Sequence, residues 1–335
     1  MFLKDKVILI TGGTGSFGKK FVEIVLREQL PRKLIVFSRD ELKQHEMRQL
    51  YPDGTGSRIR YFIGDVRDLE RLMRAFRKVD YVIHAAALKQ VPACEYNPFE
   101  AVKTNILGAK NVIDAAIDRG VSKVVALSTD KAVNPVNLYG ATKLCAEKMF
   151  IRANAYSGGE GTQFSVARYG NVVGSRGSVI PLFFQQKTTG VITVTDPRMT
   201  RFWITLEQCV RFVLHCIECM EGGEIFVPKI PSMNIMDLAQ AIAPDCEHRV
   251  IGIRPGEKLH ETLVSQDESR DAMETETMFV IRPPYSVEDA LVCGEPAGNC
   301  EGFNYTSDSG AAWLTVDELQ AMVHPFMPAD GGAGD

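Results

Sequence analysis

The sequence contains no apolar run that approaches the ~20 residues needed to cross a bilayer. Its mean hydropathy is −0.06. Residues 1–6 lead directly into a strand-like run, without the apolar stretch and small-residue cleavage site of a signal peptide. A basic excess is also absent, because 38 Lys and Arg stand against 42 Asp and Glu, for a net charge of −4. We therefore expect a soluble, cytoplasmic protein with neither a membrane nor a nucleic-acid partner.

Cysteine motifs of the disulfide-framework or zinc type are also scarce. The eight cysteines are scattered through the chain, which favours reduced thiols. Cys216 and Cys219 form a CxxC beside His215, but no second CxxC follows at zinc-site spacing. The surrounding segment, 209–220, has the pattern of an apolar helix. We therefore expect buried structural thiols here and no metal site.

Strand-like and helical segments alternate through the first half of the chain. This alternation is typical of a parallel sheet that is covered on both faces by helices. The predicted strands are 6–11, 33–37, 59–63, 81–84, 123–128 and 165–168, and the predicted helices are 17–29, 41–50, 69–77, 99–119 and 138–153. The fold class is therefore predicted to be α/β, with a doubly wound parallel sheet.

The second half differs in composition. Arg, Pro and Gly become frequent after about residue 170, and helical segments at 206–220 and 236–242 interrupt loops. We expect residues 1–170 to form a dinucleotide-binding domain, with a return segment near 204–225. Residues 171–327 are expected to form mainly a smaller substrate-binding lobe, and the Gly-, Ala- and Asp-rich residues 328–335 a disordered tail.

A glycine cluster follows the first predicted strand and opens the first predicted helix. It contains the pattern GxxGxxG, which allows a tight turn, close approach of the backbone to a pyrophosphate, and free N–H groups at a helix start. Its position in a βαβ series favours dinucleotide binding over an ordinary turn. The cofactor-binding candidates are Gly12, Thr14, Gly15, Ser16, Phe17 and Gly18.

The residues after the second predicted strand bear on which dinucleotide binds. Arg39 offers a guanidinium suited to a 2′-phosphate, with Ser38 before it and Lys43 close behind. NADP is therefore favoured. Asp40 could instead bond a ribose 2′-hydroxyl, which keeps NAD open as the alternative. Asp65 is placed either to contact the adenine or to cap a helix.

Tyr139 and Lys143 are four residues apart in a predicted helix and so share one face. An ammonium beside a phenol lowers the tyrosine pKa, and the phenolate can then take a proton from an alcohol as hydride leaves its carbon. The pattern YxxxK alone is common on helix surfaces. Here it follows a glycine fingerprint and a strand that ends in Ser-Thr, which makes a catalytic pair the favoured interpretation.

The series TGGTGSFG, HAAALK, STDK, YGATK and RYGNVVGSRGSVIP resembles the extended short-chain dehydrogenases that act on nucleotide sugars, over about residues 5–265. The runs TDKAVNP at 129–135 and RPGEKLHE at 254–261 are similar to the inverting UDP-N-acetylglucosamine 4,6-dehydratases, above all the soluble enzymes that open pseudaminic acid synthesis. Larger membrane-bound relatives share TDKAVNP but often have Met where this chain has Tyr139.

The resemblance implies a redox-neutral cycle with NADP. Tyr139 takes the O4 proton as hydride leaves C4, the C5 proton and the C6 hydroxyl are eliminated as water, and hydride returns to C6. Asp130 would assist the leaving hydroxyl and Lys131 would take the C5 proton, with Thr129 and Lys143 completing the catalytic set. A glutamate stands at the Lys131 position in dTDP-glucose dehydratases, so lysine there accompanies C5 inversion. From the residues alone, a loop cap and a solvated charge remain the alternative.

The resemblance also implies further contacts. The additional cofactor candidates are Val66, Ala85, Ala86, Ala87 and Val172. The substrate candidates are Lys89, Asn105, Asn171, Gly177, Ser178, Val179, Ile180, Pro181, Thr193, Arg198, Met199, Arg254 and Glu257.

Two other functions remain open at this point. A UDP-hexose 4-epimerase would need only the tyrosine and its helpers, and its product would keep the C6 hydroxyl. A non-catalytic, NADP-sensing regulator of the same fold would usually lack Tyr139 or Lys143, and both are present. Pairing of helices between subunits, as in family members, would give a homo-oligomer.

Overall fold

The computed structural model describes residues 1–158, 161–175, 177–283, 291–293, 295–309 and 312–327. The strands of the first half are β1 (Val7–Thr11), β2 (Lys33–Ser38), β3 (Ile59–Ile63), β4 (Tyr81–His84), β5 (Lys123–Thr129) and β6 (Gln163–Tyr169). The helices there are α1 (Ser16–Ile24), α2 (Glu41–Leu50), α3 (Leu69–Ala75), α4 (Val91–Tyr96), α5 (Pro98–Val102), α6 (Gly108–Arg119) and α7 (Leu138–Tyr156).

The second half contains shorter strands. They are β7 (Asn171–Val172), β8 (Val191–Val194), β9 (Thr200–Ile204), β10 (Ile225–Pro228), β11 (Ser232–Asn234), β12 (Glu247–Val250), β13 (Thr262–Val264), β14 (Ala272–Glu274), β15 (Met278–Ile281), β16 (Leu291–Val292), β17 (Glu295–Pro296), β18 (Gly298–Asn299) and β19 (Tyr305–Thr306). The helices are α8 (Val179–Lys187), α9 (Leu206–Cys219), α10 (Ile235–Ile242) and α11 (Val316–Val323).

The main sheet has ten strands in the order β18-β14-β15-β10-β6-β5-β4-β1-β2-β3. The strands from β3 to β10 in this order pair in parallel, whereas β15, β14 and β18 pair antiparallel. Chain order reverses between β1 and β4, which is the switch point where open α/β sheets bind ligands. The predicted doubly wound parallel sheet is confirmed.

Helices cover both faces of this sheet because its central strands are apolar on both sides. In β1, Val7 and Leu9 pack into one core cluster, while Ile8 and Ile10 pack into the other. A strand that is buried on both faces carries a continuous apolar run rather than an alternating one. A third cluster, which includes Phe183, Trp203 and Leu238, forms the core of the second lobe.

The chain returns from the second lobe to the main sheet twice. The first return passes through α9 to β10, which pairs with β6. The second return adds β15, β14 and β18, which local pattern did not predict. The second lobe contains the three-stranded sheet β11-β9-β7 and the pair β12-β8. The sequence-predicted tail, 328–335, lies outside the described residues.

Two of the predicted helices differ in detail. The segment 17–29 ends in a π-helical turn, Val25–Gln29, and the segment 99–119 is divided by another, Lys103–Leu107. Within the described part of the chain, no helix combines the length and apolarity that a membrane crossing requires.

The expectation of reduced thiols throughout is wrong for one pair. Cys216 is buried, but Cys219 is joined by a disulfide to Cys293. Sequence spacing could not indicate this bond, because the two cysteines are 74 residues apart and the second return of the chain brings them together. His215 lies within 4.8 Å of both sulfur atoms and completes the one group of three potential metal ligands among the described residues.

Candidate active site

The turn after β1 has the geometry that its glycines allow. Gly12 has a φ of +66°, a conformation that side chains with a Cβ rarely adopt. Gly15 is the N-cap of α1 and has no side chain to bond the first N–H groups of that helix. A Cβ on Gly18 would lie 2.3 Å from the carbonyl oxygen of Gly13, so only glycine permits α1 to pack this closely. The N-terminus of α1 therefore opens toward the switch point, and the N–H groups of a first helical turn are suited to binding a phosphate.

A cavity of about 710 Å³ lies at this edge of the sheet. All of the residues predicted to bind the cofactor line it: Gly12, Thr14, Gly15, Ser16, Phe17, Gly18, Ser38, Arg39, Lys43, Asp65, Val66, Ala85, Ala86, Ala87, Tyr139, Lys143 and Val172. Thr129, Lys131 and the substrate candidates Lys89, Asn171, Gly177, Ser178 and Val179 line it as well. Residues from both lobes thus share one cleft.

Polar and charged side chains line the cavity at the carboxyl end of β2. The Thr14 and Ser38 hydroxyls are 2.7 Å apart and hydrogen bonded. The Arg39 guanidinium is 53% exposed and lies 3.4 Å from the Asp65 carboxylate. Asp40 accepts a hydrogen bond from the Lys43 backbone N–H at 3.0 Å and also pairs with its ammonium, so this carboxylate caps α2.

Asp65 does not cap a helix, contrary to one of its two sequence interpretations. It accepts hydrogen bonds from the backbone and guanidinium of Arg67, whereas Asp68 caps α3 by accepting from Arg71. Burial alone would raise the pKa of the Asp65 carboxyl, but Arg67 and Arg39 lower it.

Helix α7 carries the predicted catalytic pair on one buried face. The Asn137 side chain begins the helix by accepting a hydrogen bond from the Gly140 N–H at 2.8 Å. Tyr139 and Lys143 are 9% and 6% exposed. The Lys143 ammonium donates to the Leu127 carbonyl at 2.6 Å, which ties α7 to β5. Burial lowers the pKa of Lys143 to about 8, against the opposing charge of Glu147.

The predicted lowering of the Tyr139 pKa by Lys143 is wrong for this structure. Burial raises the pKa of the phenol to about 12, and the groups that oppose this rise are the Lys131 ammonium and a hydrogen bond with Thr129. Desolvation therefore dominates. The ammonium that opposes it is that of Lys131, which lies in residues 129–137 between β5 and α7 (the β5 loop), and not that of Lys143 on α7.

The end of β5 holds a hydrogen-bonded acid and amine. The Thr129 hydroxyl donates to Asp130 Oδ1 at 2.9 Å, and the Lys131 ammonium donates to the same oxygen at 3.0 Å. Lys131 also donates to Asn171 Oδ1 at 3.2 Å and lies 3.1 Å from Glu261 Oε1. Asp130 is fully buried. The alternative of a loop cap with a solvated charge does not describe this pair.

Burial and neighbouring charges act in opposite directions on these two groups. Burial raises the pKa of the Asp130 carboxyl, although Lys131 works against this. Burial would lower the pKa of Lys131, but the carboxylates of Asp130 and Glu261 outweigh it and raise that pKa above its usual range. To act as the C5 base, Lys131 would need a lowered pKa. With its pKa raised by the two carboxylates, Lys131 does not meet this requirement by itself.

Of the substrate candidates Lys89 and Asn105, only Lys89 lines the cavity. Burial together with the charge of Lys131 lowers the Lys89 pKa. Asn105 is buried, accepts a hydrogen bond from the Leu88 N–H at 2.8 Å and donates to Thr142 at 3.0 Å. It therefore secures the loop before Lys89 against α7 rather than facing the cavity, contrary to its expected role in substrate binding.

Besides Asn105, seven substrate candidates do not line the cavity formed by the described residues. Ile180 and Met199 are buried in the core of the second lobe. Arg198 is 70% exposed and pairs with Asp196, and Thr193 accepts a hydrogen bond from Gln186. The seven are Ile180, Pro181, Thr193, Arg198, Met199, Arg254 and Glu257.

Sequence reasoning missed Glu261, whose carboxylate contacts Lys131 from the second lobe. Its signal was present, since it ends the run RPGEKLHE, but nothing local separates it from Glu257 four residues earlier. The cavity wall also includes Gln90, Ser128, Tyr169 and Trp203, which were not predicted.

The family described as "Polysaccharide biosynthesis protein" matches residues 8–283. The chain belongs to this family. This family member is 54% identical over 333 residues to an inverting UDP-N-acetylglucosamine 4,6-dehydratase of Campylobacter jejuni, covering 97% of this chain and 98% of that protein. It is also 47% identical over 277 residues to a UDP-glucose 4-epimerase of Rickettsia conorii, covering 80% of each. The resemblance inferred from the motifs is confirmed.

Solved structures agree with the fold. Pen from Bacillus thuringiensis has a TM-score of 0.88 and 42% identity, with 97% of this chain and 99% of that chain covered. A dTDP-glucose 4,6-dehydratase from Streptomyces venezuelae, with NAD and TYD bound, has a TM-score of 0.66 and 23% identity, with 76% and 86% covered. The latter likeness supports the extended short-chain dehydrogenase fold alone.

Proposed function

We propose that this family member is an inverting UDP-N-acetylglucosamine 4,6-dehydratase that uses NADP. The observation that carries the proposal is the Asp130–Lys131 pair: the Lys131 amine lines the same cavity as Tyr139 and the glycine turn, and the buried Asp130 carboxyl directly behind that lining is hydrogen bonded to it. An epimerase needs a proton acceptor for O4, whereas a dehydratase also needs an acid and a base for elimination. The 54% identical relative carries this dehydratase name. The motifs of this chain resemble those of the enzymes that open pseudaminic acid synthesis, so we place its reaction at the first step of that synthesis.

The residues around the glycine turn fit a dinucleotide with a 2′-phosphate. The N-terminus of α1, which begins at a glycine without a capping side chain, suits the pyrophosphate. A Cβ at Gly12 would approach the Ala86 backbone to 2.9 Å and narrow the cleft. Ser38, Arg39 and Lys43 would hold the 2′-phosphate, because the Asp40 carboxylate is already engaged with α2. When bound, NADP accepts hydride from C4 and returns it to C6.

For the first step, Tyr139 accepts the O4 proton. Its buried phenol must first be ionised, and Lys131 and Thr129 favour the phenolate. Lys143 holds the edge of β5 through the Leu127 carbonyl and lies on the same helical face. Oxidation of C4 to a ketone then makes the C5 proton acidic.

The elimination step follows from the hydrogen bond between Lys131 and Asp130. Transfer of one proton along this 3.0 Å bond turns the ion pair into a neutral amine and a carboxylic acid. The amine of Lys131 then takes the C5 proton while the acid of Asp130 gives its proton to the leaving C6 hydroxyl, so that water departs and the charges balance. This route allows Lys131 to act as a base although its resting pKa is raised.

Product analysis separates this function from epimerisation. Purified enzyme is incubated with UDP-N-acetylglucosamine in D2O, and the product is examined by NMR. We expect a 6-deoxy-4-keto sugar with deuterium at C5 and inverted configuration. A product that keeps its C6 hydroxyl and changes only at C4 would support the epimerase, which the 47% identical relative favours.

A variant at Lys131 tests the assigned base. Lys131→Ala should lose dehydration while still allowing slow oxidation at C4, which is visible as NADPH absorbance. Lys148→Ala, an exposed lysine on the same chain segment as Tyr139, is the control and should behave as wild type. If Lys131→Ala still forms the inverted product at a normal rate, Lys131 is not the base.

A further inference from the structure

Glu261 is a buried carboxylate that reaches the β5 loop from the second lobe. Its side chain is 3% exposed, and its Oε1 lies 3.1 Å from the Lys131 ammonium. Two more cations surround it, with the Arg201 Nε and the Lys258 Nζ each 3.9 Å away. Lys131 lines the cavity, and the 3.1 Å contact with Lys131 is the shortest that the Glu261 carboxylate makes to a charged group, so we consider its effect on that ammonium.

The backbone of Glu261 is held firmly in place. Its N–H donates to the Ser307 hydroxyl at 2.9 Å, and the Ser307 N–H donates back to its carbonyl at 2.8 Å. The Ser307 hydroxyl is also hydrogen bonded to Thr200 at 2.7 Å. Lys258 donates to the Val133 carbonyl at 2.6 Å, which fastens this segment to the β5 loop. The carboxylate therefore presents a fixed charge rather than a mobile one.

The Lys131 ammonium is surrounded by as many acceptors as it has N–H donors. An ammonium has three donors. The acceptors are Asp130 Oδ1 at 3.0 Å, Asn171 Oδ1 at 3.2 Å and Glu261 Oε1 at 3.1 Å. Together these three contacts hold the Nζ atom in place. Loss of the Glu261 contact would leave one N–H donor without an acceptor, and two hydrogen bonds instead of three contacts would hold the ammonium.

We propose that Glu261 is a positioning residue for the elimination step, which holds Lys131 against Asp130 and controls how the two share a proton. This inference rests on the proposed dehydratase function. Glu261 favours the charged form of Lys131, so it opposes the transfer to Asp130 until the C4 ketone makes the C5 proton acidic. It thereby keeps the amine in line with Asp130 during the earlier hydride step.

The negative charge of Glu261 changes the pKa of Lys131, which an uncharged side chain of the same shape would not do. Burial would raise the pKa of its carboxyl, but Lys131, Arg201 and Lys258 lower it, so Glu261 is ionised. The negative charges of Asp130 and Glu261 both raise the pKa of Lys131. In Glu261→Gln the shape remains and the charge is lost, so the Lys131 pKa should fall, by about one unit or more for a contact of this length.

The test compares Glu261→Gln with wild type in two assays. C4 oxidation, followed as NADPH absorbance in a single turnover, should stay within about threefold, because Tyr139 is not in contact with Glu261. Dehydration, followed by NMR, should slow by about tenfold or more, because the amine is less firmly held. The falling limb of its pH profile, where the Lys131–Asp130 pair loses the one proton that it shares, should move about one pH unit toward acid, because the Lys131 pKa is lower without the Glu261 charge. Glu261→Asp should recover part of the rate.

Glu268→Gln is the matched control. It removes the charge of another glutamate in the same lobe, one that pairs with Arg168 and does not contact Lys131. We expect lower stability from it but no movement of the pH limb. A Glu261→Gln enzyme with wild-type dehydration and an unmoved limb overturns the inference, as does an equal loss in both assays, which would indicate a structural role. Wild-type enzyme that forms no 6-deoxy product contradicts the proposed function before any variant is compared.

Discussion

The phenol of Tyr139 shows how burial and neighbouring charge compete at a single residue. Burial raises its pKa, whereas Lys131 and Thr129 oppose the rise from the β5 loop. In the proposed mechanism the same loop would supply the acid and the amine for elimination. One short segment would then influence both the proton acceptor at O4 and the chemistry at C5 and C6.

Replacing Tyr139 with phenylalanine keeps the ring but removes the proton acceptor. We expect turnover to fall by ~100-fold or more, the scale of a lost general base, while UDP-sugar binding is retained. Turnover assays and calorimetric titration with UDP-N-acetylglucosamine measure the two effects. Tyr156→Phe, at the exposed end of α7, is the control. Near-normal turnover of Tyr139→Phe would remove Tyr139 from the role of base.

Arg39 is the residue that should decide between NADP and NAD. Each charge-assisted hydrogen bond to a 2′-phosphate contributes ~1.5–3 kcal/mol, so Arg39→Asp should weaken NADP binding tenfold or more. Fluorescence titration with NADP and with NAD measures the change, and NAD binding should change less. Arg249→Asp, at an exposed position in the second lobe, serves as the control. Mass spectrometry that finds only NAD released from purified protein would contradict this assignment.

At the scale of elements, the starting residues of α1 and α7 determine where the side chains of the candidate site lie. Helix α1 starts at the glycine turn, and α7 starts at the Asn137 cap, so that Tyr139 and Lys143 fall in its first two turns. Glu147 continues the same face one turn later and pairs with Arg168. A shift of one residue in the start of α7 would turn this face away from β5.

The packing of α1 on β1 depends on Gly18. Because an added Cβ would meet the Gly13 carbonyl oxygen at 2.3 Å, Gly18→Ala must displace the helix. We expect a loss of about 1–3 kcal/mol in the free energy of unfolding, as for other overpacked sites, together with weaker dinucleotide binding. Urea unfolding measures the first effect. Gly298→Ala, where a Cβ would meet nothing within 4 Å, should cost far less. Equal stability of the two variants would show that α1 can move without cost.

At the scale of the whole molecule, a buried ionic group joins the two halves of the chain. Arg168 on β6 is fully buried and bonds Glu147 of α7 at 2.7 Å and Glu268 at 2.8 Å. It also donates to the Leu263 carbonyl at 2.9 Å. The main sheet, the catalytic helix and the second return of the chain therefore meet at one guanidinium.

Arg168→Met should leave the buried Glu147 carboxylate and the partly buried Glu268 carboxylate without their cation. Removing one partner of a buried ion pair typically costs about 3–5 kcal/mol, and the cost should appear in urea unfolding. The combined variant Arg168→Met, Glu147→Gln, Glu268→Gln removes the unpaired charges and should recover part of the loss. A loss below about 1 kcal/mol in the single variant would mean that the group contributes little net stability.

The sheet strands, the glycine turn and the Tyr139–Lys143 spacing were determined by the sequence itself, because each depends on neighbours within a few residues. Apolar runs, a helix start and a four-residue repeat are local patterns, and the structure bears out the fold class they predict. The disulfide, the second return to the sheet and the direction of the Lys131 pKa were decided only by tertiary structure. Glu261 lies 130 residues beyond Lys131 in the sequence, yet its carboxylate is 3.1 Å from the amine. No local pattern contains a charge that the chain path alone brings into contact, and at Lys131 the charges of Asp130 and Glu261 outweigh desolvation.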